Sequence, residues 1–359
     1  MKDIQLKQDK DYYNYFQRGN FRLASNEYDE AIEDYNEAIK LNPQYPRSYK
    51  NRGLAYYTKG EFDSAITDYN KAIELKPDMS DAYNMRGIAY STKGEIDHAI
   101  KDHNKAIELK SNNPDAYNNR GTAYSLKGNV DSAIEDYTKA IELKPDYATA
   151  YLNRGVAFII KGKTNLALKD FNKAIELKPD DAGAYYDRGR AHKMKGILNI
   201  AIEDFTKAIE LKPDYVEAYN NRGDVYKSRQ EFDLAINDYS KVIELNPEFP
   251  YTYFNRGGAY VKKDEIDKAI KDYDMVIKYL PEFAGSLPEF TVSYYNRGML
   301  WLRLENWQKA KSDLTIARNM GVDIIALFRN AYANVADFEQ KHNVKLPEDI
   351  AAMLTPPQA

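Results

Sequence analysis

Nine arginines in this chain of 359 residues stand directly before a glycine: Arg18, Arg52, Arg86, Arg120, Arg154, Arg188, Arg222, Arg256 and Arg297. Each is followed sixteen residues later by an aspartate: Asp34, Asp68, Asp102, Asp136, Asp170, Asp204, Asp238, Asp272 and Asp313. A row of guanidiniums alone would anchor anionic ligands. A row with a matched carboxylate for every cation points instead to ion pairs, because the planar fork of arginine grips a carboxylate bidentately. The residue before each arginine is asparagine in six copies, Asn51, Asn119, Asn153, Asn221, Asn255 and Asn296. Its amide offers one acceptor and two donors, a match for a peptide backbone whatever the side chains are. Two other origins compete with that role. Duplication copies a residue without selection for binding, and asparagine can bridge neighbouring helices.

Other chemistry is thin. The four histidines are scattered: His98 and His103 lie five apart, a poor ligand spacing, and His192 and His342 are distant. Cysteine is absent, which excludes disulfides and thiolate metal sites. No phosphate-binding loop, nucleophile elbow or metal signature occurs, so no enzyme, cofactor or metal is expected. The net charge of −4, with both signs interleaved, lacks the basic stripe of a nucleic-acid face. No apolar run approaches a membrane span, and the N-terminus carries no signal-peptide pattern. A cytoplasmic location is the expectation.

These residues are placed by a ruler. The glycines fall at 19, 53, 87, 121, 155, 189, 223 and 257, every step 34, and the next is Gly298, a step of 41. Counting each repeat from seven residues before its glycine, residues 1–11 form an N-terminal extension and eight repeats span Tyr12 to Phe283. An insertion covers Ala284 to Phe290 and creates "LPEFAGSLPEF", in which "LPEF" occurs twice, at Leu280 and Leu287. A ninth repeat runs from Thr291 to Ile324, and 325–359 is a tail. One repeat reads "PRSYKNRGLAYYTKGEFDSAITDYNKAIELKPDM". Two amphipathic stretches flank Lys59–Gly60, where glycine suits a left-handed helix end. Ala65, Ile66, Tyr69, Ala72 and Ile73 make one apolar stripe at helical spacing, and Pro77 ends it. A helical hairpin of this kind buries its stripe only by stacking on neighbours.

The pattern resembles the tetratricopeptide repeat (TPR), whose signature positions 4, 8, 11, 20, 24, 27 and 32 are here Tyr49, Gly53, Tyr56, Ala65, Tyr69, Ala72 and Pro77. The resemblance covers Tyr12 to about Ile324. It departs at position 7, more often aliphatic in the family than arginine, and at position 11, where Arg22 and His192 replace an aromatic. The resemblance implies an all-α fold, a right-handed superhelix of nine repeats with a helical cap at its C-terminal end. It places positions 2, 5, 6, 9, 12 and 13 on the concave face. The asparagine row at position 6 is similar to the asparagine ladder with which members of the family hold a peptide backbone. At the other positions of that face, repeats four to six turn apolar: Leu126, Leu152, Val156, Ile159, Ile160, Tyr186 and Met194. Phe254, Tyr295, Met299 and Leu302 follow later, and Asn118 marks a position that varies. Apolar residues on a face that should meet water mark an interaction patch, unless adjacent first helices bury them. The family's carboxylate clamp for chaperone tails is disfavoured, because only Lys50 and Asn51 fit it and Leu54 does not.

The resemblance thus implies an interaction scaffold that holds an extended peptide or partner segment of another protein, with neither nucleic acid nor membrane as partner. Self-assembly through the groove, the ends or the tail is the alternative. In the tail, Asp323 and Asn334 are placed to start helices and Pro347 to sit in a first turn. Together they form a cap for the last repeat or a docking element.

Overall fold

The computed structural model describes residues 2–283 and 291–356, with side chains for 11–279 and 291–356. Twenty-one helices and no strand occur among the described residues. The fold is all-α. The insertion at 284–290 lies outside the described residues.

Repeat two shows how the local sequence makes each hairpin. Its first helix runs Pro46–Thr58 and its second Phe62–Leu75. Pro46 occupies the first turn, where its missing N–H costs nothing. Gly60 adopts φ +81° between the helices, a backbone state open to glycine without a Cβ penalty. The second helix then buries Ala65, Ile66, Asp68, Tyr69 and Ala72. Alanines at the crossing let the helix axes approach, and the tyrosine ring fills the space beside the central glycine. A Cβ at Gly53 would fall 2.8 Å from Tyr69 Cε1, closer than carbon atoms tolerate.

The chain divides into two compact units, Met1–Ala191 and His192–Ala359. In the first unit, five hairpins follow one another, and the second helix of each of the first four also packs on the first helix of the next repeat. The helix that opens repeat one, Lys2–Ala24, runs back through the N-terminal extension. In the second unit, hairpins seven to nine pack in the same order. The second helix of repeat eight, Ile266–Phe283, has 18 residues against 13 or 14 in the other repeats, so the chain stays helical up to the insertion.

Three short helices close the second unit: Ile324–Ala331, Val335–His342 and Glu348–Met353. Asp323 accepts from the Ala326 N–H and Asn334 from the Asp337 N–H, and Pro347 precedes the third helix. Phe328, Phe338, Leu346, Ile350 and Leu354 form one core with Tyr295, Met299, Leu302 and Leu314 of repeat nine. This corrects the reading of Tyr295, Met299 and Leu302 as exposed interaction residues. The tail supplies the apolar neighbour that a tenth repeat would have supplied.

Candidate functional site

The recurring arginine is a joint. Arg120 donates from Nε to Asp136 Oδ2 at 2.8 Å and from Nη2 to Asp136 Oδ1 at 2.6 Å. Its Nη1 donates to Asn104 Oδ1 of the preceding hairpin at 2.7 Å. The guanidinium also lies against Tyr117 and Tyr124, with centroids at 5.5 and 5.8 Å. These rings are positions 4 and 11 of the same helix, one turn either side, so the plane of charge sits on two π faces. The same arrangement recurs at Arg52, Arg86, Arg154, Arg222 and Arg256, which accounts for much of the tyrosine in this chain. Arg188 and Asp204 fall in different units. Where position 11 is not aromatic, its replacement turns to the aspartate instead: Arg22 Nη1 lies 2.9 Å from Asp34, and His192 Nδ1 lies 2.8 Å from Asp204.

Burial works against these pairs as the arginine works for them. Burial pushes the carboxyls of Asp68, Asp238 and Asp272 above the usual carboxylate range, against the pull of Arg52, Arg222 and Arg256. The hydrogen bond to Asp136 raises the pKa of Arg120 in spite of burial. A fully committed, internally matched cation of this kind is not a ligand anchor.

The asparagines reach sideways along the row of first helices. Asn119 Nδ2 donates to Asn84 Oδ1 at 3.3 Å, and Asn153 Nδ2 donates to Asn118 Oδ1 at 3.0 Å. Asn51 Nδ2 donates to Asn20 Oδ1 at 2.7 Å. Each bridges to the preceding repeat, so position 5 or 9 of one helix meets position 6 of the next. Asn118 is therefore a buried bridge and not an open specificity position. In the second unit the row changes. Asn221 accepts from Lys193 Nζ and donates to the Glu217 carbonyl. Asn255 is 3% exposed and accepts from Lys227 Nζ at 2.7 Å. Asn296 is half-buried, within hydrogen-bonding reach of Tyr273.

The apolar residues divide by register. Position 13 is open: Leu126, Ile160 and Met194 are 62%, 60% and 59% exposed. Positions 5, 9 and 12 are not. Leu152, Val156 and Ile159 are half-buried against Phe171 and Ala191, between successive first helices. Tyr186 is likewise half-buried. The Phe254 ring packs 6.0 Å from Tyr273.

One hollow opens on this face inside the first unit. It measures about 240 Å³ and is lined by Ile88, Ser91, Thr92, His103, Asn119, Thr122 and Leu126. It lies between the first helices of repeats three and four, Ser80–Thr92 and Pro114–Leu126. Small residues at positions 12 and 13 of repeat three leave it unfilled. His103 stands where repeats one, two and four carry Tyr35, Tyr69 and Tyr137. Its Nδ1 lies 2.9 Å from Asn84 Oδ1, which also accepts from Asn119, so Nδ1 carries the proton. Burial, with the Arg120 charge behind it, pushes the His103 pKa down to about 4. The sequence reading missed this hollow. Its only trace there was histidine at an aromatic packing position.

Among the described residues no group of three His, Cys, Asp or Glu side chains is placed to hold a metal, and no helix is long and apolar enough to cross a membrane.

The family model described as "TPR repeat" matches residues 19–60, 53–94, 89–128, 157–196, 195–228 and 223–264, more than half of the chain. A second, "Tetratricopeptide repeat", matches 114–147. The chain belongs to the tetratricopeptide repeat family. No curated protein matches it in sequence. Among solved structures, MamA is 32% identical over 46% of this chain and 96% of its own, with a TM-score of 0.44. The APC/C hetero-tetramer Cut9–Hcn1 is 18% identical over 74% of this chain and 52% of its own, with a TM-score of 0.55. A TPR protein from Parabacteroides merdae is 21% identical over 64% and 91%, with a TM-score of 0.51. These last two likenesses are of fold.

Within a TPR hairpin the invariant Arg–Asp pair takes a place usually given to packing. The bidentate contact ties the two helices together, and the third donor ties the hairpin to its predecessor. The arginine thus belongs to the TPR scaffold, and position 13 is the one that stands open in repeats four to six, at Leu126, Ile160 and Met194.

Proposed function

We propose that the chain is a protein-interaction scaffold that holds an extended peptide along the first-helix face of repeats three to five. The hollow beside Asn119 carries this reading. At about 240 Å³ it suits one side chain rather than a small-molecule ligand, whose sites usually reach roughly 300 Å³ or more. Leu126 stands exposed at its rim, and Ile160 repeats that position one helix further on. Asn119 and Asn153 each use one N–H to bridge a neighbouring helix. That fixes the amides in place and leaves acceptor and donor capacity for a peptide backbone. Asn221 and Asn255 also accept from Lys193 and Lys227 and serve the row rather than the ligand, and Asn51 and Asn296 lie outside repeats three to five.

The test is selection of a random peptide library on the immobilised full chain. The expected result is a family of peptides sharing one anchor side chain. Thr122→Trp, which fills the hollow, and Leu126→Asp, on an exposed site, should each weaken those peptides about tenfold or more. A library that enriches nothing, or peptides that bind both variants unchanged, would remove the reading.

A further inference from the structure

The first helix of every repeat turns positions 3, 7 and 10 toward the preceding hairpin. In eight repeats position 3 is Ser48, Ala82, Ala116, Ala150, Ala184, Ala218, Thr252 or Ser293, all buried. Position 10 is Ala55, Ala89, Ala123, Ala157, Ala191, Val225, Ala259 or Leu300, all buried. Position 7 is the arginine, whose Nη1 takes an oxygen from the hairpin before. That oxygen is an amide for Arg52, Arg86, Arg120 and Arg188, a hydroxyl for Arg154, Arg222 and Arg256, and the Asp274 carboxylate for Arg297.

No hairpin precedes repeat one among the described residues, and its three positions are Asn14, Arg18 and Phe21. All three are exposed, Phe21 at 70% and the Arg18 side chain at 54%. Arg18 grips Asp34 through Nε and Nη2, and its Nη1 has no partner among the described residues. An end that simply faces water is expected to be polar. This one carries a phenylalanine where the other repeats carry smaller residues. Beside it is a hollow of about 470 Å³ lined by Asp11, Asn14, Tyr15, Arg18, Glu37 and Leu41.

We propose that this end is a dimer interface and that its occupant is a second copy of the same end. The face is self-complementary. Asn14 and Arg18 lie one helical turn apart, so a two-fold axis across the helix brings Arg18 Nη1 of each copy to the Asn14 amide oxygen of the other. An amide oxygen is the acceptor that four of the other arginines already use. Asp11 and Glu37 add carboxylates around the same cation, and Phe21 loses its contact with water. A head-to-tail chain of copies is not available, because the tail helices cover the apolar residues of repeat nine. An isologous contact of this kind closes at two copies.

Sedimentation of the full chain across a concentration series tests this. The expected species is a monomer–dimer equilibrium with nothing larger. Asn14→Arg sets two guanidiniums against each other, Phe21→Asp places a carboxylate in the contact, and each should leave monomer only. Asn14→Asp copies the carboxylate partner of Arg297 and should tighten the dimer several-fold. Both positions are exposed, and unchanged helical circular dichroism confirms that the variants are folded. Thr122→Trp should leave the dimer unaffected, which separates this surface from the peptide face. A wild type that stays monomeric throughout, a dimer indifferent to Asn14→Arg and Phe21→Asp, or open-ended assembly would each overturn the proposal.

Discussion

Arg154 and Asp170 face each other as fork to fork, with Nε–Oδ2 at 2.8 Å and Nη2–Oδ1 at 2.9 Å, while Nη1 reaches Thr138 of the hairpin before. One side chain therefore joins three helices. The consequence is asymmetric. Arg154→Ala leaves a buried carboxylate without its counter-charge and should cost about 3 kcal/mol or more. Arg154→Leu together with Asp170→Leu removes both charges and should cost clearly less. Chemical denaturation of the three proteins checks this, and equal, additive losses would show that the two residues do not act as a pair.

Gly121 is defined by Tyr137. A Cβ there would fall 2.8 Å from Tyr137 Cε1 and 3.2 Å from the Ala133 carbonyl oxygen. Gly121→Ala must push the two helices of repeat four apart, at roughly 1–3 kcal/mol. Gly258, with open space around its Cβ position, should accept alanine without that loss. Comparable melting shifts in the two variants would contradict the close-approach argument.

His103 makes the protein sensitive to acid. Its pKa falls from 6.5 in the unfolded chain to about 4 when buried. As pH drops below the unfolded value, the unfolded state takes up the proton first, so this contribution is present at neutral pH and is lost between about pH 6.5 and 4. The difference corresponds to about 3 kcal/mol. His103→Tyr, the residue of the neighbouring repeats, should remove that part of the acid destabilisation. Unfolding curves of both proteins at pH 7 and pH 4.5 measure it, and parallel losses would exclude His103 as the cause.

The tail holds repeat nine. Phe338 is fully buried and its ring lies 5.9 Å from Phe328 and 5.0 Å from Tyr332. Phe338→Ala should cost about 3–5 kcal/mol. In an array of repeats the loss stays near its source, so hydrogen exchange should quicken in the tail and in Val292–Arg303 before it quickens in the first unit. Uniform quickening along the chain would refute local capping.

The sequence by itself determined the hairpin. Spacing of 34 between Arg–Gly pairs, an apolar stripe at helical period and a glycine in the hairpin turn of five repeats depend on contacts within a few residues or within one repeat, and these recur wherever the repeat does. It also determined that each arginine sharing a unit with the aspartate sixteen residues on would meet it, since both lie equally far from one turn. Tertiary structure decided what faces outward. Whether Leu152 or Leu126 meets water depends on how closely the next first helix approaches, and Tyr295, Met299 and Leu302 are buried by a tail with no repeat pattern of its own. The hollow at Asn119 likewise comes from small residues of two repeats meeting a histidine from a third helix. Exposure is a property of neighbours, and the neighbours of a surface residue in a stacked array lie one repeat away.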